Sequence, residues 1–129
     1  MTVKGTLNTI LYVEDEPDIR AIAELALQTI GGFSLISCAS GKEALIAAKE
    51  QVPDLIVLDV MMPEMDGPET LRRLREMPLM ADVPAIFMTA KVQPDEIAEY
   101  HALGALDVIP KPFDPLSLAQ RVNDIWHRA

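Results

Sequence analysis

The chain has 129 residues, half of them hydrophobic and 24% charged, which is the composition of one globular domain with a core of its own. Twenty acidic residues against eleven basic ones give a net charge of −9, which argues against direct binding to nucleic acid and against docking on an anionic membrane. The lone cysteine, Cys38, rules out an internal disulfide, and no apolar run reaches the roughly 20 residues of a membrane helix, so we expect a cytoplasmic protein.

Strand and helix signals alternate along the whole chain. In chain order we predict a strand at 7–13, a helix at 17–30, a strand at 33–38, a helix at 40–50, a strand at 55–58, a helix at 68–77, a strand at 85–88, a helix at 94–104, a strand at 106–109 and a helix from 114 to 126. Pro17 marks the start of the first helix, with Asp15 or Glu16 able to cap it. Ser40, with Glu43 three residues later, forms a capping box for the second helix.

The third predicted strand carries four consecutive apolar residues at 55–58 rather than an alternating pattern. Consecutive apolar residues are typical of a parallel strand that is covered by helices on both faces. Five strands alternating with five helices therefore predict an α/β fold, a flavodoxin-like doubly wound parallel sheet in a single domain that spans 1–129. Pro110 cannot donate to a strand ladder, so it belongs on an edge strand or at the end of a strand, and the strand order 2-1-3-4-5 would place the fifth strand at an edge.

Charged and hydroxyl side chains stand where four of the predicted strands end: Glu14, Asp15, Asp59, Thr89 and Lys111. In an open parallel sheet the carboxyl ends of the strands form the crevice in which ligands bind. Two carboxylates 4 Å apart repel by about 4 kcal/mol at an effective dielectric constant near 20, and Mg²⁺, which prefers oxygen ligands, would relieve that repulsion. Asp59 is the candidate nucleophile for an acyl phosphate, with Lys111 as a positive charge for the phosphate oxygens.

Each of these residues also has a plainer interpretation. The acidic run at 14–16, taken alone, would be a turn that stabilises a helix N-terminus, and Lys111 alone would be a surface lysine. Their convergence with Asp59 at one edge of the sheet favours a functional site. We interpret His101 and His127, which lie on helices away from this edge, as surface or packing residues.

Four segments in order carry a resemblance to a known family: YVEDE at 12–16, LDVMMPEMDG at 58–67, MTAK at 88–91 and KPFD at 111–114. In sequence and spacing they resemble the receiver domain of bacterial two-component response regulators, the family of the stand-alone chemotaxis receiver. The resemblance covers nearly the whole chain. It leaves open whether the receiver is a complete regulator or one part of a longer protein.

The resemblance implies a phosphoacceptor and a metal site. Asp59 would accept a phosphoryl group from a phosphohistidine on a sensor histidine kinase or a histidine phosphotransfer protein. Asp15 and Asp59, with the backbone carbonyl of Met61, would bind Mg²⁺. Glu14 would act mainly through a metal-bound water.

The resemblance also implies a switch. Lys111 would contact the phosphoryl oxygens, Thr89 would swing its hydroxyl toward them, and Ala90 would lie beside the phosphate. The Lys111-Pro112 bond would be cis, a geometry accessible to an X-Pro bond. A downstream effector would read the face of the fourth helix, fifth strand and fifth helix, and the same family allows a phosphorylation-dependent dimer. Val108 stands where many members have an aromatic residue, which removes that side chain as part of the switch.

Two other classes of protein share some of these features. A haloacid-dehalogenase-type phosphatase needs a second acid two residues after its nucleophile, and this chain has Met61 there. A flavodoxin-type electron carrier needs a phosphate loop rich in hydroxyl groups and glycine, whereas the acidic run at 14–16 would repel a phosphate. We therefore expect a phosphoacceptor that assists its own phosphorylation and dephosphorylation, not a turnover enzyme.

Overall fold

The computed structural model describes residues 5–128. Strands and α-helices alternate along them as β1 Thr9–Val13, α1 Pro17–Glu24, β2 Ser34–Cys38, α2 Gly41–Glu50, β3 Leu55–Asp59, α3 Gly67–Arg75, β4 Ala85–Thr89, α4 Pro94–Ala102, β5 Asp107–Pro110 and α5 Leu118–His127. All five strands pair in parallel, in the order β2-β1-β3-β4-β5. The predicted fold class and strand order are confirmed.

The two faces of the sheet each carry a hydrophobic core. Side chains alternate along β1, so Leu11 and Val13 pack beneath α2, α3 and α4, whereas Ile10 and Tyr12 pack beneath α1 and α5. Every residue of β3 and β4 is buried, as expected for central strands covered on both sides.

The strand register brings the polar strand ends to the same level. Val13 pairs with Leu58, so the residue after β1 stands level with Asp59. Asp59 in turn pairs with Met88, and Thr89 pairs with Pro110 on the edge strand β5. The functional side chains therefore leave the sheet along one edge.

The first helix differs from its prediction in geometry. It was predicted as one α-helix over 17–30, but α1 ends at Glu24 and continues as a π-helical segment, Leu25–Ile30. Gly31 N donates to Ala26 O, five residues earlier, at 3.0 Å. Glu16, one of the two residues predicted to cap this helix, is its N-cap residue, but it makes no side-chain capping hydrogen bond.

The last helix begins later than predicted, at Leu118 instead of 114. Asp114 first builds a turn, because its Oδ1 accepts from Leu116 N and its carbonyl accepts from Leu118 N, both at 3.0 Å. Ser117 is the N-cap residue and makes no side-chain capping hydrogen bond, so the regular helix starts at Leu118.

Smaller differences lie at other element ends. β1 begins at Thr9 and β2 at Ser34, and a 3₁₀ turn, Pro78–Met80, follows α3. Ser40 Oγ accepts from Glu43 N at 3.1 Å, as the capping box requires, but the Glu43 carboxylate accepts from Ala39 N instead of Ser40 N. Among the helices that the structure describes, none is long and apolar enough to span a membrane.

Candidate functional site

Three carboxylates converge at the carboxyl edge of the sheet. Glu14, Asp15 and Asp59 each present one oxygen, and these three oxygens lie within 4.8 Å of one another. Glu14 is 1% exposed and Asp59 4% exposed, which is unusual for acidic side chains unless they are paired. The structure thus brings together the three acids that the sequence predicted to meet.

The loop between β1 and α1 is held by hydrogen bonds to its backbone and to Glu14. Glu14 N donates to Cys38 O at 3.0 Å, which extends the pairing of β1 with β2. Glu16 N donates to Glu14 Oε2 at 3.2 Å, so the Glu14 carboxylate folds over its own loop. Arg20 Nη1 donates to Glu14 O at 2.9 Å and to Asp15 O at 3.4 Å.

The loop that follows Asp59 is closed tightly on the end of β3. Val60 N donates to Met88 O at 3.1 Å, and Gly67 N donates to Val60 O at 2.9 Å. A Cβ atom at Gly67 would press into the carbonyl oxygen of Asp59 and lie 2.9 Å from Val60 Cα, so only glycine fits there. Within this loop Met61 is 59% exposed, while Met62 is buried in the core.

Lys111 brings the positive charge to this cluster. Its amide donates to Thr89 O at 2.9 Å, which fixes the end of β5 beside β4. Its Nζ lies 3.0 Å from Asp59 Oδ1 and 2.6 Å from Glu14 Oε1. The Lys111-Pro112 peptide bond is cis.

Burial and mutual repulsion shift the protonation of this site. Burial raises the pKa of Asp59 to about 7, the hydrogen bond from Lys111 opposes that rise, and the neighbouring Glu14 adds to it. Burial works to lower the pKa of Lys111, but its contacts with Glu14 and Asp59 outweigh burial and leave that pKa raised. The ammonium therefore stays charged, while the Asp59 carboxylate titrates near neutral pH.

Thr89 and Ala90 lie at the end of β4, on the side of Asp59 that faces β5. Thr89 is buried, and its Oγ1 accepts from Lys91 N at 3.0 Å, so the hydroxyl is engaged with the loop that leads to α4. Ala90 is exposed at the start of that loop. The hydroxyl therefore has a partner that it must release before it can turn elsewhere.

The acidic cluster fits a hard divalent cation. Asp15 Oδ1 is buried and has no hydrogen-bond partner among the residues that the structure describes. An unpartnered buried carboxylate oxygen is costly, and here it stands beside two further carboxylates. Clustered oxygen ligands of this kind suit Mg²⁺, which is bound by one or two carboxylates and keeps several waters.

The two histidines contact backbone carbonyls outside the acidic cluster. His101 Nδ1 lies 3.1 Å from Ala105 O, and His127 Nδ1 lies 2.8 Å from Asn123 O. Cys38 is buried, and burial followed by the charge of Glu43 raises its pKa to about 11, as for an unreactive thiol.

Two residues near the site were missed by the sequence argument. Arg20, six residues after Glu14, reaches back to the loop, and a basic residue one helical turn past an acidic loop is the signal that could have found it. Tyr12 lies two residues before Glu14, on the same face of β1, with a buried hydroxyl that lacks a partner in the described chain. Its burial, then the charges of Glu14 and Asp59, raise its pKa.

Comparison with known proteins agrees with this geometry. The family model of the response regulator receiver domain matches residues 10–123. The chain is 41% identical over 120 residues to the probable transcriptional regulator ycf27 of Porphyra purpurea, covering 93% of this chain and 48% of that protein. It is 37% identical over 120 residues to the phosphate regulon transcriptional regulatory protein PhoB of Pseudomonas aeruginosa, covering 93% and 52%. The chain thus spans about half the length of these curated relatives.

A solved structure of similar size shows the same fold. The chemotaxis response regulator CheY4 of Vibrio cholerae superposes with a TM-score of 0.85 at 31% identity, covering 93% of this chain and 99% of that one. Receiver domains of this kind generally use Mg²⁺, and the cluster of Glu14, Asp15 and Asp59 can hold such an ion. The chain belongs to the response regulator receiver domain family, whose members are signalling domains of two-component systems and not turnover enzymes.

Proposed function

We propose that Asp59 is the phosphoacceptor and that its donor is a phosphohistidine on a sensor histidine kinase or a histidine phosphotransfer protein. The observation that carries this proposal is the position of Lys111 Nζ, 3.0 Å from Asp59 Oδ1, beside a second and a third carboxylate. A carboxylate nucleophile, an oxygen-rich cation site and a fixed ammonium are what transfer of a phosphoryl group to an acid requires.

In the proposed reaction an oxygen of the Asp59 carboxylate attacks phosphorus while the bond from phosphorus to the histidine nitrogen breaks. The electron pair of that bond stays on the imidazole, and the product is an acyl phosphate. Lys111 neutralises charge on the phosphoryl oxygens. In dephosphorylation, a water molecule attacks phosphorus and the bond from phosphorus to the Asp59 oxygen breaks. Inorganic phosphate is released, and the Asp59 carboxylate is restored.

Asp15, Asp59 and the backbone carbonyl of Met61 would hold Mg²⁺, with Glu14 acting through a metal-bound water. When bound, the ion would neutralise charge between the carboxylates and the phosphoryl oxygens. The protein residues fix where the carboxylates and the phosphoryl group meet. The burial of Asp59 and Glu14 limits the access of water to the acceptor.

We place the output on the face formed by α4, β5 and α5, and we place the protein in the cytoplasm. The support for α4 is its shallow packing, because Tyr100 is the one buried residue of that helix. An element with little buried surface can shift at low free-energy cost. A downstream protein would then read its position.

Mass spectrometry after incubation with acetyl phosphate and Mg²⁺ tests the acceptor. The wild type should gain one phosphoryl group, and Asp59→Asn should lose most of that gain. Asp66→Asn, which alters a neighbouring acid that caps α3, is the matched control and should still be phosphorylated. An equal yield of phosphorylated protein from Asp59→Asn and the wild type would overturn the assignment.

A further inference from the structure

Arg20 contacts three consecutive carbonyl groups of the β1–α1 loop. Its Nη1 donates to Glu14 O at 2.9 Å and to Asp15 O at 3.4 Å. Its backbone N donates to Glu16 O at 2.9 Å, as the first turn of α1 requires. The side chain of Arg20 therefore holds the backbone carbonyls of Glu14 and Asp15, the first two of the three acids that precede the helix.

Among residues 5–128, no other side chain donates a hydrogen bond to the carbonyls of Glu14 and Asp15. The Glu14 carboxylate is already held by Lys111 Nζ at 2.6 Å and by Glu16 N at 3.2 Å. Asp15 Oδ1, in contrast, has no hydrogen-bond partner in the part of the chain that the structure describes. Because a side chain leaves its backbone in a direction set by φ and ψ, the carbonyls that Arg20 holds determine where the Asp15 carboxylate points.

We propose that Arg20 is a positioning residue of the metal site: its guanidinium fixes the carbonyls of Glu14 and Asp15, so that the Asp15 carboxylate is aimed at the cation before the cation arrives. The proposal rests on the metal binding proposed above. It adds a residue outside the acidic cluster, which acts on the metal through the backbone. Residues that orient metal ligands from behind typically change metal affinity by about 10- to 100-fold when they are removed.

The charge of Arg20 and its hydrogen bonds predict opposite changes in Mg²⁺ affinity when the side chain is removed. A guanidinium near a divalent cation repels it, so loss of that charge should strengthen Mg²⁺ binding if charge alone mattered. Loss of the hydrogen bonds should weaken Mg²⁺ binding. Without them the β1–α1 loop becomes ordered only when the ion binds, and this ordering costs part of the binding free energy. The sign of the change in affinity therefore separates a positioning residue from a nearby charge.

The experiment is a titration of the full chain with MgCl₂, followed by amide NMR shifts, for the wild type, Arg20→Ala, Arg20→Lys and Arg121→Ala. Arg121 is exposed on α5, so its alanine variant removes the same charge away from the site. We expect Arg20→Ala to bind Mg²⁺ about 10-fold more weakly than the wild type. Arg20→Lys should fall between them, because an ammonium can still donate to the carbonyls but lacks the rigid, planar guanidinium that holds Nη1 against both of them. Arg121→Ala should bind like the wild type.

A second readout needs no metal. In the metal-free protein the Glu16 amide, which donates to Glu14 Oε2, should exchange with solvent several-fold faster in Arg20→Ala than in the wild type. Phosphorylation by acetyl phosphate should need more Mg²⁺ for half-maximal rate but should reach a similar rate at saturation.

Tighter or unchanged Mg²⁺ binding by Arg20→Ala would overturn the role of Arg20 and leave the proposed function intact. Asp15→Asn provides the separate check on that function. If Asp15→Asn binds Mg²⁺ as the wild type does, the metal site itself is misplaced, and the inference about Arg20 is overturned with it.

Discussion

Lys111 Nζ lies 2.6 Å from Glu14 Oε1, although β5 and β1 are separated in the sheet by β4 and β3. The same ammonium lies 3.0 Å from Asp59 Oδ1. One lysine therefore bridges two buried acids and offsets much of their repulsion in the resting protein. If Asp59 is phosphorylated as proposed, we expect the lysine to share its ammonium between the phosphoryl oxygens and Glu14, which would weaken its contact with Glu14.

Removal of Lys111 should tighten Mg²⁺ binding. In Lys111→Ala the carboxylates of Glu14 and Asp59 lose their cation, and a divalent ion then binds without competition from the ammonium. We expect about 3- to 10-fold higher Mg²⁺ affinity, from an interaction of about 1 kcal/mol. Isothermal titration calorimetry would measure it, with the exposed Lys91→Ala as the charge control. Weaker binding by Lys111→Ala would mean that the lysine organises the acids instead of competing for them.

Stability without metal should fall as the pH rises from about 4 to about 7. The pKa of Asp59 is raised to about 7 by burial, so in this range the folded protein holds a proton that the unfolded chain has lost. The stabilisation is complete below pH 4 and is lost as the pH rises through 7. Asp59→Asn should remove this loss and be more stable than the wild type at pH 8 by on the order of 2 kcal/mol.

Urea denaturation at pH 4.5 and pH 8, with EDTA, measures this difference. The exposed Asp124→Asn is the control and should follow the wild type at both pH values. Added Mg²⁺ should restore much of the wild type's stability at pH 8, because the ion replaces the lost proton. Parallel pH curves for the wild type and Asp59→Asn would rule out Asp59 as the titrating group.

The hydroxyl of Tyr12 should reduce stability. It is buried and has no hydrogen-bond partner among the described residues, so its desolvation is not compensated. Tyr12→Phe keeps the ring in the core and should raise the free energy of unfolding by about 1 kcal/mol. Tyr100→Phe, which removes a hydroxyl from a ring that packs edge-to-face on Phe87, is the control and should bring no comparable gain. A stability loss in Tyr12→Phe would reveal a partner for the hydroxyl in solution.

The signal should travel through the loop after β4. Because Thr89 Oγ1 accepts from Lys91 N, a hydroxyl that turns toward a phosphoryl group releases that amide and loosens the start of α4. Amide shifts on adding Mg²⁺ with beryllofluoride should therefore spread from Asp59 and Thr89 into residues 90–100. In Thr89→Ala they should shrink sharply there while they persist around Asp59. Shifts confined to the loops around Asp15 and Asp59 in the wild type would place the output elsewhere.

The sequence predicted the strands and the convergence of the charged strand ends better than it predicted the helix ends. Runs of apolar residues mark buried strands, and the strand order then brings Asp59, Glu14 and Lys111 to one edge. The start of α5 was wrong because Asp114 satisfies the backbone of a turn before the helix begins, a choice that propensity alone does not reveal. Arg20 was missed because its contact with the loop depends on how the helix leaves the strand, which no periodicity encodes.

Gly67 packs so closely on the end of β3 that a Cβ atom there would press into the carbonyl oxygen of Asp59, and this packing limits what a partner protein can sense. Val60, which follows the proposed acceptor Asp59, is hydrogen-bonded to Met88 of β4 and to Gly67 at the start of α3, so we expect β3 and α3 to keep their relative position when Asp59 is phosphorylated. The outer surface of α3, with Arg72 and Arg73 both paired to Glu69, should then look the same before and after phosphorylation. A partner that binds α3 would recognise the identity of the regulator, whereas a partner that binds α4 would recognise whether Asp59 is phosphorylated.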